Sequence, residues 1–326
     1  MESVAGLPWT GWPDVRGISG RMTVEYASSL YLEHFGLNSP PFSIIPDPGF
    51  FFAGEDRGMF IAALLHATLQ AEGIILVIGE VGSGKTLMSR ILLSRLPDTV
   101  DTVYLPNPVF SRDEIIDVIA RDLGVVAASQ GMRLDALQHE LINRHALGRQ
   151  VVVLIDEAHA MPADSIEEVR RLSNLETDNR KLLQLVLCGQ PELDTLLAAP
   201  SLRQVRDRVV YRLVLNKFSA DDASRYLNHR LRVAGWPGGR LFTDSGEWLL
   251  LNDAGGRARR LNLIADKALL AAFAEDKKQV SAKHVLMAIG DAGANFSSAG
   301  FKSRGVRLLI LALIAITVLW LTITSR

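Results

Sequence analysis

The chain has 326 residues, enough for two compact domains and a tail, and 48% of them are apolar, as in a folded protein with a sizeable core. A formal net charge of -1 excludes a global attraction for nucleic acid or anionic surfaces, leaving only local patches to supply one. The single cysteine, Cys188, excludes an internal disulfide and a cysteine-based metal cluster, and suits a reducing compartment. It lies in the apolar run 182–188 and reads as a small buried side chain.

Residues 1–27 carry Gly6, Pro8, Gly11, Pro13, Gly17 and Gly20, so they read as a flexible leader, with Met22 a possible true start. They hold no charged start followed by an apolar stretch, so the soluble part is expected to stay in the cytoplasm.

The next segment carries the strongest signal. Gly79-Glu80-Val81-Gly82-Ser83-Gly84-Lys85-Thr86 fits G-x-x-x-x-G-K-[ST]. It follows the apolar run 74–78 and precedes a helical stretch that begins with Leu87, so strand, loop and helix are in the required order. Glycines let backbone N–H groups curl around phosphate, and the helix start adds its positive end. Lys85 is expected to reach the β and γ phosphate oxygens of a bound nucleotide, and Thr86 to give a hydroxyl to Mg²⁺. Such a site also needs carboxylates, and the run 151–155 ends in Asp156-Glu157. Asp156 is expected to act on Mg²⁺, largely through water, and Glu157 to polarise the attacking water. Asp156-Glu-Ala-His159 spells a box found in some helicases, but no second motor domain fits in the chain, so His159 reads as a polar neighbour at the strand end.

Strand-like runs at 74–78, 102–105, 151–155, 182–188 and 209–214 alternate with helical stretches, which predicts a parallel sheet flanked by helices over 28–215. Ser111-Arg-Asp-Glu114 is a capping box, and Leu134 to Ala146 reads as another helix. After Leu215 no strand is evident. Helices opening at Ser219, after Thr243, near Arg259 and at Ser281 make 216–290 a small helical lid domain. Residues 291–305 read as a linker. Residues 308–325, LLILALIAITVLWLTITS, carry no charge and as a helix span about 27 Å, close to a bilayer's hydrocarbon thickness. A transmembrane helix is therefore expected over 306–325. Lys302, Arg304 and Arg307 precede it and only Arg326 follows, which places the bulk of the protein in the cytoplasm by the positive-inside rule.

The residues from Tyr31 to about Ala288 resemble AAA+ ATPases of the general secretion pathway protein A (ExeA) type and the related MshM-type pilus-biogenesis ATPases. The marks are Tyr31-Leu-Glu-His-Phe-Gly-Leu, Pro41-Phe42, Pro46-Asp-Pro48, the Gly79 loop and Tyr104-Leu-Pro-Asn-Pro108. Further on come Leu172-Ser-Asn-Leu-Glu-Thr177, Gly189-Gln-Pro-Glu-Leu193 and His229-Arg-Leu-Arg-Val-Ala-Gly235. The resemblance implies that Gln190 is the polar sensor of the γ-phosphate. It implies that Arg203, Arg206 or Arg208 is an arginine finger reaching a neighbouring subunit's nucleotide, and that Arg259 is the lid's second sensor. Relatives have Gly-x-Pro-Arg-x-x-Asn where this chain has Gly256-Arg-Ala-Arg-Arg-Leu-Asn262, so Ala258 replaces a proline. It also implies that Phe42 and the Pro46–Pro48 turn lie near the adenine, although packing alone would use the same residues.

The expectation is a membrane-anchored AAA+ ATPase with ATP and Mg²⁺, a ring or nucleotide-dependent homo-oligomer. It would work on the cytoplasmic face of the inner membrane with secretion or type IV-like pilus components. A member with a peptidoglycan-binding domain would continue past the membrane helix, and this chain ends at Arg326. A DNA-associated transposition helper is the alternative, against which the charge and the apolar tail argue; a slow nucleotide switch is the other.

Overall fold

The computed structural model describes residues 31–70, 72–107, 110–125, 133–176 and 181–294. The expected leader, most of the linker and the 306–325 helix lie outside them. Among the described residues no helix is long and apolar enough to cross a membrane.

Among the described residues five strands form one sheet: β1 (Ile74–Gly79), β2 (Val100–Leu105), β3 (Gln150–Ile155), β4 (Leu183–Gly189) and β5 (Val209–Leu215), in the order β2-β3-β4-β1-β5. Every neighbouring pair is parallel. The inner strands β1, β3 and β4 are buried almost throughout because helices cover both faces, whereas edge strand β5 alternates in burial. The first residues of β2, Val100 and Asp101, are polar or half-exposed and do not look like a strand on hydropathy alone. They pair in register with Gln150 and Val151 all the same, which extends the strand beyond the expected 102–105.

Because successive side chains point to opposite faces, alternate residues of one strand build two different cores. Ile74, Leu76 and Ile78 join Val151, Val153, Ile155, Leu185 and Leu187 on one face. That face packs against α3 (Arg112–Asp122), α4 (Arg133–Ala146) and α5 (Ala163–Ser173). Ile75, Val77, Val152, Leu154, Val186 and Cys188 face the other way, onto α1 (Arg57–Gln70) and α2 (Lys85–Arg95). Short helices α6 (Glu192–Leu197) and α7 (Arg203–Arg206) connect β4 to β5.

From β5 onward the described chain is helical: α8 (Ala220–Val233), α9 (Asp244–Ala254), α10 (Ala258–Ala274) and α11 (Ala282–Ala294). The first two start at side-chain caps, Ser219 accepting from the Asp222 N–H and Thr243 from the Gly246 N–H. α11 runs to Ala294, past the expected linker boundary at 291, since Ala-Gly-Ala offers no breaker as strong as proline.

Residues 31–56 lie against these helices. The Tyr31 hydroxyl donates to Asp266 on α10 at 2.9 Å, and burial pushes both groups up from their ordinary pKa values. Arg230 of α8 donates to the carbonyls of Pro41 and Ser43, and its guanidinium sits over the Phe50 ring. Phe42 is fully buried with its ring edge-on to Phe242. Its packing role therefore accounts for its presence, and it offers no open face to an adenine. Pro46 accepts a hydrogen bond from Arg90, and Asp47 caps the short turn Pro48–Phe50.

Candidate active site

Since all five strands run the same way, their carboxyl ends open along one edge of the sheet. The register sets Ile78 beside Gly189 and Ile155 beside Leu187, so the residues that follow β1, β3 and β4 meet there.

The loop after β1 turns through Gly84, whose φ of 104° lies in the left-handed region that favours glycine, and α2 then begins at Lys85. Free N–H groups at that helix start point into the loop. Lys85 is only 5% exposed, and its Nζ donates to the carbonyls of Gly79 at 2.8 Å and Glu80 at 3.4 Å. Ser83 Oγ is buried without a hydrogen-bond partner among the described residues. Glu80 and Val81 are exposed at the loop's rim, while Thr86 and Leu87 are half-buried behind Lys85. Helix-start N–H groups, an ammonium and an orphaned hydroxyl around one curl of backbone form the donor set that a triphosphate needs.

Asp156, 2% exposed, follows β3. Burial pushes its carboxyl pKa up, and a hydrogen bond to Thr86, the Glu157 N–H and the charge of Lys85 oppose that rise. The Glu157 N–H reaches Asp156 Oδ1 at 2.9 Å, and the Tyr104 hydroxyl on β2 lies 3.5 Å from Oδ2. Burial, then Asp156, pushes the Tyr104 phenol to about 12. Among the described residues no three His, Cys, Asp or Glu side chains form a metal cage. Mg²⁺ needs no such cage, because it takes one or two protein oxygens and completes its shell with phosphate and water. Thr86 and Asp156, already in contact, fit that demand.

Glu157 adopts a left-handed φ of 53°, uncommon for a residue with a side chain and a frequent mark of functional positions. Gln190, directly after β4, brings its amide nitrogen 3.3 Å from Glu157 Oε2 and 2.8 Å from His159 Nε2. An amide N–H₂ donates to both, so His159 accepts through Nε2. His159 therefore holds Gln190, a contact its place in the sequence alone does not reveal.

Arg259, the second residue of α10, stands against the loop: its N–H lies 3.3 Å from the Gly82 carbonyl. Arg257 turns back onto the Ala254 carbonyl and Arg260 pairs with Asp253, which leaves Arg259 as the arginine of the three nearest the phosphate loop. Arg203, Arg206 and Arg208 are exposed, at the other end of the sheet: β5 starts beside Ile74 and reaches the Gly79 level only at Leu215. None of the three meets this chain's own loop. Arg57 went unnoticed in the sequence, yet its guanidinium is buried behind the loop and donates to the Ser83 carbonyl at 2.8 Å. Its signal would have been a charge on the apolar face of α1, which one arginine in a helix cannot provide.

Sheet order, phosphate loop and paired carboxylates define a P-loop ATPase domain of the AAA class, and residues 68–197 match the AAA domain family. Along 254 residues, 77% of its length, the chain is 38% identical to general secretion pathway protein A of Aeromonas hydrophila, the group it resembles by motif. That match covers 46% of the relative, so the chain spans about half the length of the curated protein it matches. In fold it is similar to Cdc6p from Pyrobaculum aerophilum, with a TM-score of 0.60, 20% identity and coverage of 80% of this chain and 70% of that one. It is also similar to the ORC2 protein of Aeropyrum pernix, solved in ADPNP-ADP complexes, with a TM-score of 0.58, 19% identity and coverage of 84% and 79%.

Proposed function

We propose that this chain binds ATP with Mg²⁺ and hydrolyses it in a homo-oligomer, and that the cycle drives or gates assembly of a secretion or type IV-like pilus system. The observation that carries the reading is the meeting of Lys85, Thr86, Asp156, Glu157 and Gln190 at one end of the sheet. The resemblance to general secretion pathway protein A supports the biological setting. Residues 306–325 would anchor the chain in the inner membrane with the ATPase on the cytoplasmic side.

The loop N–H groups and Lys85 receive the phosphates, Lys85 exchanging its carbonyl partners for phosphate oxygens. Mg²⁺, when bound, neutralises charge on the phosphates, and Thr86 and Asp156 are the residues to hold it. Glu157 orients and polarises the attacking water. In the arrangement seen here its carboxylate is engaged by the Gln190 amide, so Gln190 must turn toward the γ-phosphate before Glu157 is free to act. Arg259 closes on the phosphates from α10.

Because Arg203, Arg206 and Arg208 stand far from the chain's own loop, they can serve only a neighbour's site. Specific ATPase activity of the full chain is then expected to rise with protein concentration. One of Arg203→Ala, Arg206→Ala or Arg208→Ala should lose about a thousandfold in kcat, with ATP affinity little changed. Activity that is flat with concentration and untouched by all three would refute the shared site and favour a monomeric switch.

A further inference from the structure

Arg57 opens α1 and is only 6% exposed as a residue, and none of the roles above uses it. Burying a cation is costly unless its protons are met. Here Nη1 donates to the Ser83 carbonyl at 2.8 Å, on the back of the phosphate loop, and Nη2 reaches the Asn216 carbonyl, just past β5, at 3.5 Å. The same plane lies 3.8 Å from the centroid of the Phe218 ring. Burial pushes its pKa down to about 10, which leaves it charged at neutral pH.

Phe218 is the last residue before the cap of α8, and its N–H donates to the Gly256 carbonyl at 2.9 Å. That approach demands glycine, since a Cβ on Gly256 would stand 2.3 Å from the Phe218 carbonyl oxygen. Three residues on, Arg259 meets Gly82. The contacts thus close a circuit from Arg57 through Ser83, Gly82, Arg259, Gly256 and Phe218 back to Arg57. Beside it lies an open cleft of about 350 Å³ lined by Arg57, Met59, Asn216, Phe218 and Asp222, where β5 passes into α8.

The geometry points to Arg57 as a positioning residue that couples the setting of the phosphate loop to the angle of the helices after β5, so that nucleotide release and movement of those helices are one event. This rests on the ATPase reading above. A guanidinium is a rigid planar fork, so Phe218 cannot shift without pulling the plane that holds Ser83. Lysine could keep one hydrogen bond but could neither lie flat on the ring nor reach both carbonyls.

The test is a double-mutant cycle on the full chain, read as the dissociation rate of a fluorescent ADP, with the melting temperature of the nucleotide-free protein recorded beside it. R57A and F218L are each expected to speed release by about tenfold, and the double variant by little more than either, because both break one coupling. R57K should behave like F218L rather than like the wild type, and it stands in for R57A should the alanine variant fail to fold. Release at the wild-type rate from R57K, or effects that multiply in the double variant, would overturn the coupling, as would a lowered melting temperature with unchanged release. If the wild type shows no saturable ADP binding and K85A is indistinguishable from it, the ATPase reading itself fails and takes this inference with it.

Discussion

Among the described residues Lys85 has no carboxylate within ion-pair distance, and its ammonium is held by two carbonyls of the loop it belongs to. Carbonyls are weaker partners than phosphate oxygens, so the residue is stored where it will be used. Elsewhere charges are paired for stability. Asp101 on β2 accepts from Arg149 and from Arg144, the latter at 2.7 Å, and the Arg149 hydrogen bonds, ahead of those of Arg144, hold its carboxyl below the usual range. A carboxyl with a depressed folded pKa adds stability above its unfolded pKa and loses it as pH falls through the folded value. Chemical denaturation should therefore find Asp101→Asn less stable than the wild type at neutral pH. The gap should begin to narrow as the pH drops below about 4, where unfolded aspartate titrates, and should close only once the pH is below the depressed folded value. A gap independent of pH would mean the pair contributes only shape. Residues of this kind divide by legibility. Lys85, Asp156 and Glu157 could be read because motif and strand pattern place them. Arg57, Tyr104 and the Gln190–His159 contact could not, because each depends on which strand or helix lies beside which.

At the level of elements, local chemistry in the sequence announced the helix starts. Ser111 and Glu114 form the expected box, with the Ser111 N–H donating to Glu114 at 2.8 Å, and Thr243 caps α9. Thr243→Ala removes the acceptor for the Gly246 N–H and should cost about 1 kcal/mol in urea unfolding; a change near zero would show that water replaces the cap at no loss. The sheet order is of another kind. Five apolar runs predict five strands, but only the fold shows β4 inserted between β1 and β3. That insertion brings Gln190 to Glu157, and no local property of 182–188 encodes it. The same non-local pairing made 100–101 part of β2 although Asp101 breaks the apolar run.

For the whole molecule, the reading joins a cytoplasmic ATPase to a membrane anchor and to copies of itself. Deleting 306–325 should move the protein from the membrane to the soluble fraction with its ATP affinity kept. Retention in the membrane would assign anchoring to another segment or to a partner. The central claim is that the site at the carboxyl edge of the sheet hydrolyses ATP through Glu157, and the most direct measurement is ATP turnover by the full chain beside Lys85→Ala and Glu157→Gln. The account predicts that Lys85→Ala loses both binding and turnover, while Glu157→Gln binds ATP as the wild type does and turns it over at least about a hundredfold more slowly. Wild-type turnover in Glu157→Gln would contradict it.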